Sequence, residues 1–119
     1  MITHIVLLTP RETLTVDERE AMAQAMEHAF SGIPSIVRAR VGRRRRLGYS
    51  YDELSPVQFE FLAVLEFHSV DDLDAYLKHP AHLELGRQFR SCAQVALAND
   101  FDTVEPGQLR SLVDPDTLQ

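Results

Sequence analysis

Two segments of this chain are apolar on both faces of an extended strand, and that feature limits the fold more than any other. Within residues 2–8, alternation puts Val6 and Leu8 on one side and Ile5 and Leu7 on the other. Residues 59–67 repeat the arrangement, with Phe61, Ala63 and Leu65 against Leu62 and Val64. One layer of helices covers only one face of a sheet. The other face would exceed the apolar surface that a monomer normally leaves in water, and an isologous pair of sheets buries it. A homodimer through the open sheet face is therefore expected. The alternative is that the C-terminal tail or a long loop covers the face within one chain.

The remaining elements support a single sheet. Pro10 punctuates the first strand, and Thr15-Val-Asp-Glu18 has the form of a capping box. Val16, Met22, Met26, Ala29, Phe30 and Ile33 then recur at helical spacing until Gly32 and Pro34. Residues 36–42 alternate Val37, Ala39 and Val41 with Ile36, Arg38 and Arg40, a second strand. Residues 43–56 lack a period and read as a mobile connection to the third strand. Ser69 can cap a short helix that Pro80 interrupts, because proline disfavours helical geometry at His79. A second helix starts there, with Leu85, Phe89, Cys92, Ala93 and Ala96 on one face, before a fourth strand within residues 97–104. The order strand, helix, strand, strand, two-part helix, strand implies an α+β, ferredoxin-like fold: a four-stranded antiparallel sheet with helices on one face. Residues 1–104 form the expected domain, and 105–119 a C-terminal tail.

The 119 residues suffice for one domain of modest core. A net charge of -6 argues against a nucleic-acid or anionic-membrane partner, which would favour a basic surface. No apolar run is long enough to span a bilayer, and the N-terminus lacks a secretory pattern. The single cysteine, Cys92, forms no internal disulfide and suits a reducing, cytoplasmic setting.

The chemistry concentrates in Tyr76-Leu-Lys-His-Pro-Ala-His82. Pro80 at the first helical position sets unpaired N–H groups near His82, and the positive end of the helix keeps its imidazole neutral, as a base requires. The break in the helix can aim Tyr76 and His82 at one space together with His4, an acid/base cluster. The structural alternative is a wet tyrosine and a locally packed histidine. His68, His79 and His82 are too disturbed by Pro80 to form a one-face metal site, and no metal or other cofactor is expected. Arg43-Arg-Arg-Arg46 could meet a phosphate or carboxylate, although pairing of Arg38 and Arg40 with Glu60 and Glu66 would account for part of the basic cluster. Met22, Met26, Leu85 and Phe89 make an apolar stripe, with Ala23, Ala63, Gly86 and Ala93 small enough to leave room beside it. Cys92 falls on a buried helix face as a packing residue.

His4 in an apolar strand, Gly32-Ile-Pro34, Phe67-x-Ser69 and the Tyr-x-x-His-Pro-x-His string resemble the stress-responsive dimeric α/β-barrel domain family from the first residue to about residue 104. The resemblance implies sheets that close into a barrel across a dimer. It implies a cofactor-free cyclase or lyase acting on a carbonyl or polyketide-like compound, since a plant polyketide cyclase of this family uses such a tyrosine and the string's second histidine in an aldol-type closure. The matching residues are Tyr76 and His82, with His4 as an accessory histidine. The implied pocket is lined by Val6, Leu8, Met22, Met26, Ala39, Ala63, Leu85, Gly86 and Phe89, and by Phe61 where the cyclase carries a histidine. The competing readings are a non-catalytic, stress-related ligand-binding or assembly protein and an oxygenase of related barrel type.

Overall fold

The computed structural model of the protein describes residues 1–114 and 116. Strands β1 (Ile2–Pro10), β2 (Arg38–Arg43), β3 (Phe61–Phe67) and β4 (Ala93–Asp102) form one antiparallel sheet in the order β2-β3-β1-β4. Helix α1 (Val16–Gly32) connects β1 to β2, and α3 (Val70–Lys78) and α4 (Pro80–Cys92) connect β3 to β4. All three pack on the same face of the sheet, which is the ferredoxin-like arrangement.

Local chemistry starts each helix. Thr15 Oγ1 accepts from Glu18 N at 3.1 Å, and Glu18 Oε1 accepts from Thr15 N at 3.0 Å. Replacing Thr15 with alanine removes this cap and is expected to destabilise the fold by about 1 kcal/mol, measured by urea denaturation. Ser69 Oγ accepts from Asp72 N at 3.1 Å at the start of α3. His79 both ends α3 and caps α4, its Nδ1 accepting from Ala81 N at 3.0 Å.

The core lies between helices and sheet. Leu65 and Phe67 are fully buried against Ala29, Leu73, Tyr76 and Leu85, and a second cluster joins Leu8, Leu14, Met22 and Cys92. Val16, expected on the apolar stripe, is exposed in the first turn of α1, and Ala25 is buried instead.

Several boundaries differ from those expected. Ala93 and Ala96 are strand rather than helix, because Ala93 pairs with Pro10 and Ala96 with Leu8. The ladder outweighs the helical preference of an alanine-rich stretch. At this same end of the pairing, β1 continues through Pro10 across a register shift, where proline is tolerated. Within residues 43–56 a short helix, α2 (Ser50–Leu54), forms around Asp52, whose Oδ2 accepts from Leu47 N and Gly48 N, both at 2.9 Å. Glu60 pairs with Arg46 at 2.9 Å rather than with the arginines of β2, although Arg38 does stand opposite Glu66. The tail contributes a 3-10 turn at Pro106–Gln108 and α5 (Arg110–Val113).

The register defines the uncovered face. Ile5 stands opposite Val64 and Asn99, and Leu7 opposite Leu62 and Leu97. Leu62, Leu97 and Phe101 are 38%, 47% and 49% exposed, so neither the loop nor the described residues of the tail cover this face. At one end of the sheet Glu105 and Gln108 of the tail line a cavity together with Met1, Arg38, Glu66 and Val104. Among the described residues no helix is long and apolar enough to cross a membrane.

Candidate functional site

The broken helix has a direct geometric consequence. Tyr76 comes from the last turn of α3 and His82 from the first turn of α4, so the interruption at His79-Pro80 folds the two rings together with centroids 4.6 Å apart. His4 approaches from β1, its ring centroid 5.9 Å from that of Tyr76 in an edge-on arrangement, and Phe67 packs on Tyr76 at 5.4 Å. Tyr76 is 1% exposed and His4 5%.

These three residues line a cavity of about 270 Å³ between the helices and the β1–β4 side of the sheet. Val6, Leu85, Gly86 and Phe89 line it too, with Phe30, Ala96 and Ala98. The small side chains on edge strand β4 keep the space open, since the pairing of Val6 with Ala98 and Leu8 with Ala96 puts methyl groups where larger residues would fill it.

Hydrogen bonds assign the histidine tautomers. His82 Nδ1 lies 3.0 Å from Leu77 O, a carbonyl that can only accept, so Nδ1 carries the proton and Nε2 keeps its lone pair. His4 Nδ1 lies 2.5 Å from Asp100 Oδ1, and the carboxylate holds that nitrogen protonated. Desolvation lowers the pKa of His82 below its ordinary value, with a smaller contribution from His4, against the opposing effect of the Leu77 carbonyl. Burial pushes the phenol of Tyr76 well above the ordinary tyrosine range. At neutral pH the pair is therefore a neutral imidazole beside a phenol that keeps its proton.

The N-terminus of α4 is not the open anion site expected of it. Ala81 N is taken by His79 Nδ1, and His82 N donates to His79 O at 2.9 Å. His82 is kept neutral by desolvation rather than mainly by unpaired N–H groups. His79 spends its Nδ1 on that cap.

The remaining pocket residues separate from this group. Leu8, Met22, Met26 and Phe61 line a second cavity, Ala39 a third that shares Met26 with it, and Ala63 lies in the core, 3% exposed. The residues of the implied pocket thus line more than one cavity, and Phe30 lines both the first and the third. Asp100 was missed as a site residue: it reads from the sequence as a polar interruption of the last strand. The signal for it is tertiary, since only the β1–β4 register sets it directly opposite His4.

A family model described as a stress responsive A/B barrel domain matches residues 2–103. No curated protein matches the chain. Among solved structures, a hydroxynitrile lyase from Passiflora edulis is 18% identical with a TM-score of 0.70, over 88% of this chain and 96% of that one. A dimeric ferredoxin-like protein of unknown function from Thermobifida fusca is 24% identical with a TM-score of 0.65, over 86% and 90%. SnoaB, a cofactor-independent oxygenase from Streptomyces nogalater, is 15% identical with a TM-score of 0.62, over 87% and 93%. At these identities the likeness to the solved structures is one of fold.

Proposed function

We propose, from the premise that the chain belongs to the stress-responsive A/B barrel domain family, that it is a cofactor-free enzyme moving protons on a carbonyl or polyketide-like compound in the cavity of Tyr76, His82 and His4. The observation that carries this reading is the tautomer of His82: with Nδ1–H held by Leu77, the unprotonated Nε2 is left as a base in a desolvated site. His82 Nε2 takes a proton from the carbon next to a carbonyl. The phenol of Tyr76 donates a hydrogen bond to the enolate oxygen as charge develops there. Attack of the enolate carbon on a second carbonyl forms the carbon–carbon bond, and the His82 imidazolium returns the proton to the new alkoxide. His4, oriented by Asp100, presents Nε2 as a second acceptor near Tyr76.

The working unit on this reading is a homodimer paired through the open face around Ile5, Leu7, Leu62 and Val64, with residues 105–119 as an appended tail. The dimeric description of the Thermobifida fusca protein agrees with it. The single buried cysteine supports a cytoplasmic setting.

The test needs no knowledge of the natural substrate. Deuterium exchange at the α-carbon of phenylacetone in D2O, followed by NMR, should run faster with the protein than in buffer. The rate should fall on the acid side with a midpoint below the ordinary histidine value of 6.5, because protonation of His82 removes the lone pair. Phenylacetone bound without accelerated exchange would favour the non-catalytic ligand-binding reading.

A further inference from the structure

The family match ends at residue 103, and the solved structures named above cover no more than 88% of the chain, so the tail lies outside the shared domain. Its root is fixed at Thr103, whose N–H donates to Met1 O at 2.9 Å and whose Oγ1 lies 2.8 Å from Thr3 Oγ1. Beyond that point Glu105 and Gln108 line a cavity of about 500 Å³ with Arg38 and Glu66, which stand opposite each other on the uncovered face of the sheet. The tail therefore runs along the rim of that face. Leu109, Leu112 and Val113 fall at i, i+3 and i+4, one apolar stripe of α5, with Leu109 already in helical geometry. Leu109 is 57% exposed and Val113 61%, so neither is covered within its own chain.

At the opposite end of the sheet, where β2 ends and β3 begins, the uncovered face opens into a hollow of about 340 Å³. Leu7 and Leu62, paired on that face, line it together with Ser55, Phe59, Arg43 and Arg44. The two ends differ in charge. Residues 105–119 carry Glu105, Asp114 and Asp116 against one arginine, whereas residues 43–56 carry four arginines against Asp52 and Glu53. Arg44 is engaged by Asp52, and Arg46 neutralises Glu60 beside the hollow at 2.9 Å. The side chains of Arg43 and Arg45 have no hydrogen bond or ion pair among the described residues.

We infer that each tail crosses the dimer seam and seats Leu109, Leu112 and Val113 in this hollow of a second copy of the chain, a reciprocal clasp that rests on the homodimer proposed above. Packed sheets lie about 10 Å apart, so a segment on the rim of one face stands level with the face opposite. If the copies stacked with like ends together, each acidic tail would meet the other tail and each arginine run its own copy. Stacked end over end, they bring tail onto loop at both ends, and charge complementarity selects this arrangement. Continuity chooses a second copy over an unrelated partner, because Leu7 and Leu62 belong both to the apolar seam and to the hollow.

Sedimentation equilibrium of the full-length double variant Leu109→Ser/Val113→Ser tests the clasp. Both positions are exposed in the single chain, so the circular dichroism spectrum should be unchanged. The dimer dissociation constant should rise at least about tenfold, since two apolar side chains leave a buried contact. Leu109→Cys/Ser55→Cys tests the orientation independently. Within one chain these positions lie at opposite ends of the seven-residue β3, about 23 Å of strand, whereas a disulfide needs Cα atoms within about 7 Å. Mild oxidation should therefore give a covalent dimer on non-reducing electrophoresis with the double variant and with neither single variant. Cys92, 2% exposed, stays out of the reaction. The clasp is overturned while the dimer stands if the serine variant dissociates no more readily than wild type, if the double cysteine variant stays uncrosslinked, or if Leu109→Cys alone crosslinks, which would put tail on tail. A wild type that sediments as a single chain overturns the dimer and the clasp together.

Discussion

His82→Ala is expected to lower the α-proton exchange rate by roughly 10²–10⁴-fold, the usual contribution of a positioned general base. The ring is half-buried and, among the described residues, hydrogen-bonded only through Nδ1 to Leu77 O, so its removal should leave the sheet and helices in place. Tyr76→Phe provides the complementary measurement. It keeps the ring that packs on Phe67 and removes only the hydroxyl, which makes no hydrogen bond to the described residues. A loss of about 10²–10³-fold is expected if that hydroxyl stabilises the enolate. Because the two groups act on one transition state, the double variant should lose less than the product of the single losses. Both variants retaining wild-type exchange would refute the acid/base assignment.

The second large effect is on assembly. Leu62→Asp puts a carboxylate into the middle of the uncovered sheet face, opposite Leu7. In a monomer, Leu62 is already 38% exposed and the change should cost little. In a face-to-face dimer it buries an unpaired charge, and dissociation should strengthen by roughly 100-fold or more, equivalent to about 2.7 kcal/mol. Sedimentation equilibrium should therefore give twice the 13.5 kDa chain mass for wild type and the single-chain mass for the variant at micromolar concentration. A wild type that sediments as a single chain would remove the dimer from the proposed function.

Signals within a few residues of one another were legible before the fold was known. The capping box at Thr15, the Pro80 break and the period-two apolar runs each depend on local backbone geometry, so they read correctly as helix start, helix interruption and strand. The string from Tyr76 to His82 is of the same kind. Seven residues span the whole α3–α4 corner, and the corner itself brings the two rings to 4.6 Å.

What the local pattern could not decide were the competitions between elements. Residues 93–96 carry a helical composition, yet pairing with β1 makes them strand. That same pairing selects Asp100, among several acidic residues near the C-terminus, as the partner of His4. The spread of the expected pocket residues over more than one cavity also belongs to tertiary structure, because it follows from α1 lying toward α4 and away from β2, a choice of helix packing that no periodicity encodes.

The sequence by itself thus determined that this chain forms a half-covered sheet with a phenol and an imidazole at a helix break, because alternation and proline act over a few bonds. Only the tertiary structure decided which carboxylate orients His4 and that the expected pocket residues line more than one cavity, with Arg43 beside the one walled by Met22 and Met26. Those outcomes depend on strand register and helix placement, which are set by the packing of the whole layer.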